Sequence, residues 1–247
     1  MESIVFDRIA DRYDETRGGM ARARNIAAGL APVLAPGPTL EVGVGTGLIA
    51  AALDEQSRTV VGVDLSMPML RRCAERVGPR VAHGDAHQLP VPSESCANVL
   101  FVWVLHLVGD PVRTLSEARR VVRTGGRVVS VQRPAPTEPD DIAAVFDEMN
   151  HALQGDRGKP DTLLAHAEAA GLRLLARNLT PPRTYGETPA EAIANIERRT
   201  YSSLWDVDDP TWAAVVEPAL DRLRALPELD RRRERSASQE LFVFAAA

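Results

Sequence analysis

The sequence predicts an α/β protein: a doubly wound, seven-stranded, mostly parallel sheet with an inserted helical cap. Three observations predict it. Short β-branched runs alternate with helical patterns over the first two-thirds of the chain, the rhythm of βαβ units on a parallel sheet. The run Asn98 to Val104 is almost wholly apolar, as a strand covered by helices on both faces must be. A glycine cluster, Gly43, Gly45 and Gly47, stands where the first strand gives way to a helix.

The elements follow in order. Asn25 to Leu34 reads as a helix ended by Pro36-Gly37-Pro38. Thr39 to Val42 is the first strand and Leu48 to Asp54 a helix. Thr59 to Val63 is the second strand, followed by a helix from Pro68 to Arg76. Arg80 to Ala82 is a short third strand and Asn98 to Val104 the fourth. Pro111 to Val122 is a helix with proline at its start, and Gly125-Gly126 turns the chain into a fifth strand, Arg127 to Val131. Then the rhythm changes. Pro134, Pro136 and Pro139 mark a linker before an inserted helix, Asp140 to Leu153. Thr162 to Ala170 is another helix and Leu172 to Leu179 a sixth strand. Two late helical patterns, Pro189 to Leu204 and Pro210 to Leu226, precede a last strand, Glu240 to Phe244.

Composition bounds the function. The 247 residues carry 45% hydrophobic and 26% charged residues and a formal net charge of -5, a globular balance whose surface repels phosphate backbones on average, so no nucleic-acid partner is expected. The dense basic run, Arg231 to Arg233 with Arg235, alternates with Asp230 and Glu234 and reads as a solvated segment. Cys73 and Cys96 stand in no metal-ligand spacing and read as buried thiols. The apolar stretch Val99 to Val108 is too short to span a bilayer and no secretory leader is seen, so the expectation is a cytoplasmic protein with no membrane partner. Oligomeric state has no signature.

The chemistry concentrates in two spaced motifs. Leu40-Glu41-Val42-Gly43-Val44-Gly45-Thr46-Gly47 leaves a strand and opens a helix. Glycine there permits positive φ and lets a ligand approach without a Cβ in the way, beside unpaired helix N–H groups. Val60-Val61-Gly62-Val63-Asp64 is a buried strand ending in a carboxylate, about 20 residues on, where an acid can accept hydrogen bonds from ribose hydroxyls. The glycines fall as G-x-G-x-G followed by Leu48, not as the dinucleotide fingerprint, which favours a nucleoside carrying an amino acid over a pyrophosphate.

These segments, with Val63-Asp64-Leu65-Ser66-x-x-Met69-Leu70, Gly84-Asp85-Ala86, Leu89-Pro90, Leu105-His106 and Glu117-x-x-Arg120-Val121-x-x-x-Gly125-Gly126, resemble the successive motifs of class I S-adenosylmethionine-dependent methyltransferases. The resemblance runs from about residue 6 to residue 132. It is greatest to the branch holding ubiquinone and menaquinone biosynthesis enzymes and small-molecule methylases. It implies a Rossmann-like methyltransferase fold with S-adenosylmethionine as cofactor. Gly43, Gly45 and Gly47 would wrap the methionine moiety, with Glu41 near its amino group. Asp64 would hold the ribose, Leu65 and Met69 would pack on adenine, and Asp85 and the Ala86 backbone would take its polar edge. Phe6-Asp7-x-x-Ala10-x-x-Tyr13-Asp14 is similar to the family's lead-in helix, so Tyr13 and Arg17 would reach the carboxylate side. Two departures are Ser95-Cys96-Ala97-Asn98 in place of the usual Ser-Phe-Asp, and Thr124 where proline commonly stands; both are expected to be structural.

Methyl transfer needs alignment and exclusion of water, and a base only where the acceptor must lose a proton. His106 is the candidate base because imidazole titrates near neutral pH. Trp103 on the same strand end, with Tyr185, Tyr201 and Trp205, would wall a pocket for a small organic acceptor. Arg133, Arg183 and Trp212 belong to the same late set. Asp140-Asp141 beside a helix start favours capping over a metal, so no metal is expected. The organisation expected is a core with a lid helix at 1–133, an inserted helical segment at 134–160, the rest of the sheet at 161–180 and 239–247, and a helical cap at 181–238. A catalytically silent binding protein and an NAD(P)-dependent oxidoreductase are the alternatives.

Overall fold

The computed structural model describes residues 14, 18–136, 140–155 and 159–246, with backbone alone at 133–136. The chain forms two compact units. One comprises Met1–Arg133, Gly158–Pro181 and Gln239–Ala247; the other comprises Pro134–Arg157 and Pro182–Ser238.

In the first unit, helix α1 (Gly19–Leu30) leads to β1 (Thr39–Val42), α2 (Leu48–Asp54), β2 (Val60–Asp64), α3 (Met67–Val77), β3 (Val81–His83), β4 (Cys96–Val102), α4 (Pro111–Val121) and β5 (Val122–Pro136). Helix α6 (Pro160–Ala169), β6 (Leu172–Leu179) and the second half of β8 (Arg233–Ala246) complete it. The strand order is β3-β2-β1-β4-β5-β8-β6. Pairings among β1 to β5 are parallel, and β6 runs antiparallel to β8. The order reverses between β1 and β4, and such a switch point leaves a crevice at the carboxyl ends of its strands.

Alternation along β4 shows why that strand is apolar throughout. Leu100 and Val102 pack with Ile26, Leu30, Leu53 and Cys73 from α1, α2 and α3. Val99 and Phe101 pack on the opposite face with Leu115 and Ala118 of α4 and Leu163 of α6. The departure at Asn98 has a structural role. This residue is fully buried, accepts from Ala35 N at 2.8 Å, and donates to Ala35 O at 2.9 Å and Thr39 Oγ1 at 3.1 Å. It pins the loop before β1 with no group left unpaired.

Helix α1 starts and ends earlier than its apolar pattern predicts. Pro32, lacking an N–H to give Ala28, stops it before the Pro36-Gly37-Pro38 segment can. The stretch from Gly18 onward, unread as helix, carries Arg22.

In the second unit α5 (Asp141–Gln154), α7 (Pro189–Glu197) and α8 (Glu217–Arg224) bury Ile142, Val145, Met149, Ile196, Leu220 and Leu223 together. Asp140 caps α5 by accepting from Ile142 N and Ala143 N, both at 2.9 Å. A Thr188–Glu191 capping box opens α7.

The helix expected to Leu204 ends at Glu197. Arg199 turns left-handed (φ 51) and its guanidinium takes the carbonyls of Leu204 and Val207, leaving only the 3-10 turn Ser202–Leu204. The Pro210 to Leu226 pattern breaks into a turn at Asp209–Thr211, a π-helical stretch at Trp212–Val216 and α8, the widened turn lying just before Pro218, which has no N–H for Ala214.

This unit is not purely helical. Strand β7 (Arg183–Glu187) pairs antiparallel with Arg233–Ala237 of β8, an eighth strand that Arg183 and Gly186 disguise in the sequence. The basic run is correspondingly not all solvated. Arg235 is 10% exposed and ion-pairs with Asp140 and Glu187, with Tyr185 5.4 Å from its guanidinium. Burial raises the Glu187 carboxyl above its ordinary value, and Arg235 opposes that rise.

Candidate functional site

The crevice at the switch point is built on β1, β2 and β4. Strand β1 ends in Glu41-Val42, and the chain then makes the loop Gly43 to Gly47 before α2. Gly43 and Val44 donate to the carbonyl of Val63 at 2.7 and 3.1 Å, which ties the loop to β2. The three glycines have φ of 71, 55 and 80°. At Gly45 a Cβ would meet nothing within 4 Å, so this backbone faces open space; at Gly47 it would meet Cys73 Sγ at 2.6 Å. One glycine is therefore needed for approach to the cleft and the other for packing on α3.

Asp64 closes β2. Its Oδ2 accepts from Gly45 N and its Oδ1 from Ser66 N, both at 2.8 Å. The carboxylate is fixed in position by the loop it faces.

Glu41 is 2% exposed, and its Oε2 has no hydrogen-bond partner among the described residues. Burial first, then the neighbouring Asp64 charge, push its carboxyl up to about 8, while the Ala50 backbone N–H pulls the other way. An orphaned buried carboxyl oxygen is costly unless a ligand completes it.

Opposite it stands Trp103, just past β4, in a left-handed conformation (φ 55) rare for so large a residue. Its indole N–H donates to Gln132 O at 3.0 Å and Gln239 Oε1 at 3.1 Å, and the Arg22 guanidinium lies 4.0 Å from its ring. Glu41, the loop from Gly43 to Thr46, Trp103 and Arg22 line one cleft that is open to solvent. Thr46 donates to Asp14 at 2.5 Å, and Arg76 of α3 pairs with Asp14 and with Thr46 O, so the lead-in residue is tied to the glycine loop.

The remaining predicted residues fall as follows. Leu65 is 43% exposed beyond Asp64 and presents its side chain to the outside. Met69 is 1% exposed, in the first turn of α3, and its N–H donates to Ser66 Oγ at 3.3 Å. Asp85 accepts from His87 N at 2.8 Å and pairs with His87 Nδ1 at 2.7 Å, and these contacts hold its carboxyl below the usual range. Ala86 is half-buried in the same turn. His106 is half-buried in the turn after β4 that Leu107 N closes on Val104 O at 2.8 Å.

Tyr185, Tyr201 and Trp205 lie in the other unit. There Tyr201 packs edge-on to Phe146 (4.8 Å, 81°) and Trp205 donates to Arg199 O at 2.9 Å, while Trp212 donates to Glu217. Tyr185 lies near the guanidinium groups of Arg183 and Arg235. Tyr13 and Arg17 lie outside the described residues, as does the side chain of Arg133. Among the described residues no group of three or more His, Cys, Asp or Glu side chains could hold a metal ion, and no helix is long and apolar enough to cross a membrane.

The family model described as a methyltransferase domain matches residues 40–130, the stretch that carries β1 to β5 and the whole glycine loop. Residues 40–130 are thus similar to a methyltransferase domain. Its curated relatives include a demethylmenaquinone methyltransferase of Thermus thermophilus, 35% identical over 144 residues that make up 53% of this chain and 66% of the relative. A ubiquinone/menaquinone biosynthesis C-methyltransferase of Syntrophotalea carbinolica is 32% identical over 152 residues, 55% of this chain and 62% of its own length. The chain thus spans less than two-thirds of the length of these relatives. In fold the two units of the chain are similar to a SAM-dependent methyltransferase from Thermotoga maritima (TM-score 0.60, 17% identity, 100% of both chains). They are also similar to the CcbJ methyltransferase from Streptomyces caelestis (TM-score 0.56, 22% identity, 98% of this chain and 97% of that one).

The Thermotoga maritima protein is named as SAM-dependent, and the residues present in this chain fit S-adenosylmethionine. The glycine loop is open at Gly45, Asp64 offers fixed acceptors to a diol, and the orphaned Glu41 Oε2 lies at a cleft that would take an ammonium group.

Proposed function

We propose that the protein transfers the methyl group of S-adenosylmethionine to a small organic acceptor. One observation carries this reading: the β2 carboxylate of Asp64 is hydrogen-bonded to the amide of Gly45, so ribose and amino-acid recognition are built into one loop at the switch point. Bound there, S-adenosylmethionine supplies an electrophilic methyl carbon on a sulfonium whose departing thioether is neutral. The chain's own work is then to fix the nucleoside and to exclude water. Asp64 holds the ribose, Leu65 covers adenine, and Asp85, oriented by His87, accepts from the adenine amino group beside the Ala86 backbone. His106, in the turn after β4, takes a proton from an acceptor that must lose one.

The names of the relatives support a small acceptor, since quinone precursors are what those proteins are named for. Two free, buried cysteines suit a reducing compartment, and we place the reaction in the cytoplasm.

Titration calorimetry with S-adenosylmethionine, S-adenosylhomocysteine and NAD tests the cofactor half. Both sulfur nucleosides bind and NAD does not; binding of NAD alone, or of none, overturns the reading. Transfer of labelled methyl to some member of a panel of small aromatic and amine acceptors tests the other half, and no transfer to any of them leaves a silent binding protein instead.

The Asp64→Asn substitution keeps shape and one acceptor while removing the charge. Calorimetry should show S-adenosylhomocysteine binding about 10- to 100-fold weaker, the range of a lost charge-assisted hydrogen bond, with the circular dichroism spectrum unchanged. Unaltered affinity would remove Asp64 from the ribose site.

A further inference from the structure

The turn after β3 holds a histidine whose protonation is fixed by its neighbours. The Asp110 N–H reaches His87 Nε2 at 3.2 Å, and an amide N–H can only donate, so Nε2 carries a lone pair and the ring proton sits on Nδ1. Nδ1 lies 2.7 Å from Asp85 Oδ1, to which the His87 backbone N–H also donates at 2.8 Å. Both donors go to Oδ1, while Oδ2 accepts from no group among the described residues. The start of α4 holds the histidine from the other side: Arg113 Nε donates to His87 O at 3.1 Å, and Asp110 caps α4 by accepting from Arg113 N at 2.9 Å. We propose that His87 is the positioning residue of purine selectivity here: as a neutral ring donating from Nδ1, it occupies one oxygen of Asp85 and keeps the other for the 6-amino group of adenine, against a 6-oxo purine. The proposal rests on the sulfonium-nucleoside reading given above and adds to it what sets its base selectivity and its response to pH.

A carboxylate gripped at one oxygen cannot turn to suit a different purine edge. An amino group donates to the remaining oxygen, whereas an oxo group sets a second acceptor against it and leaves both unpaired, the arrangement that discriminates most strongly. The groups facing the imidazole are Asp85, Asp110 and Arg113. A second ring proton would bring Nε2–H against the Asp110 N–H, two donors facing each other. The ring must then leave Asp110, and as an imidazolium it competes with the purine for the Asp85 charge. Asp85 itself is held below the usual carboxylate range by its bonds to His87, so it stays ionised while the imidazole titrates.

Two ligands that differ only at the purine 6-position test this. Calorimetry on the full chain should show S-adenosylhomocysteine binding about 10- to 100-fold more tightly than S-inosylhomocysteine, its 6-oxo analogue. In the parent that preference should shrink as pH falls from about 8 to about 5, the range in which imidazole titrates. His87→Ala should weaken S-adenosylhomocysteine and bring the two ligands within about threefold of each other at every pH. His87→Asn keeps a side-chain N–H for Oδ1 and has no proton to gain, so it should retain the preference and lose its pH dependence. A His87→Ala variant that keeps the parent's preference, or that weakens both ligands equally, overturns the assignment, as does a parent preference that is level across the pH range. The last measurement needs no variant to fold. Failure of the parent to bind either ligand overturns the cofactor reading instead, so the two failures are told apart.

Discussion

Glu41→Gln is expected to make the free protein more stable at neutral pH and to cripple its grip on the cofactor. Burial raises the Glu41 carboxyl from 4.5 to about 8. Below pH 4.5 both the folded and the unfolded chain keep the proton and there is no penalty. Between 4.5 and 8 the unfolded chain gives the proton up and the folded one does not, so stability falls by about 1.4 kcal/mol per pH unit. By pH 7 the loss is roughly 3 kcal/mol, and above 8 it stops growing. Glutamine has no proton to lose, so the variant lacks this slope. Denaturation at pH 5 and pH 7.5 should show the parent weakening between the two and the variant holding level, apart from changes common to both. Equal slopes would refute the buried-acid account.

Binding moves the other way. An ammonium paired with Glu41 needs the carboxylate ionised, so below pH 8 binding must release a proton and affinity climbs with pH, by up to about tenfold per unit. Calorimetry in buffers of different ionisation heat counts that proton directly. In the glutamine variant the release should vanish and affinity should drop by about 100-fold.

Alanine at Gly47 and at Gly45 should separate folding from binding. At Gly47 the backbone is at φ 80°, and a Cβ would stand 2.6 Å from Cys73 Sγ and 3.2 Å from Cys73 Cα. Left-handed strain of about 1 kcal/mol adds to an overpacking cost of about 2 kcal/mol, because α3 must shift as a body. At Gly45 a Cβ meets nothing within 4 Å, so only the strain term, about 1 kcal/mol, applies. The same methyl group stands in the cleft where the ligand's backbone contact should form. Gly47→Ala should therefore lower the melting temperature by several degrees, whereas Gly45→Ala should melt within a few degrees of the parent and lose the thermal shift that S-adenosylhomocysteine confers. A Gly45→Ala protein that binds normally would place the ligand elsewhere.

What could be read from the sequence is what local periodicity and spacing encode. The β1 glycine loop, Asp64 nineteen positions past Gly45 in a direct hydrogen bond, and the two-sided apolar β4 were all legible, because each is a short-range pattern. Arg22 was not. It falls within α1, whose start is marked by no side-chain cap at Gly18, so the predicted helix began at Asn25. Buried alanine and isoleucine at Ala23, Ile26 and Ala27 show α1 periodicity only once that start is known. Strand β7 was hidden because its partner lies some fifty residues on, in a run of arginines that reads as a solvated surface until Arg235 is seen between two carboxylates. The left-handed Trp103 has no sequence signature, and the Gln239 side chain that accepts from its indole lies 136 positions on.

That last contact has a consequence in time. Gln239 belongs to β8, which sits between β5 and β6 in the sheet although it follows both in the chain. On the ribosome, β1 to β5 and the glycine loop emerge first and can pair among themselves. Strand β6 must wait for its partner, and Trp103 waits with it for the Gln239 side chain that anchors its indole. A nascent chain thus acquires a nucleoside loop early and a finished cleft wall only when its eighth strand is inserted. Ligand capture by this protein would report the completion of its sheet, so S-adenosylhomocysteine supplied during refolding should stabilise the late species and leave the early one untouched.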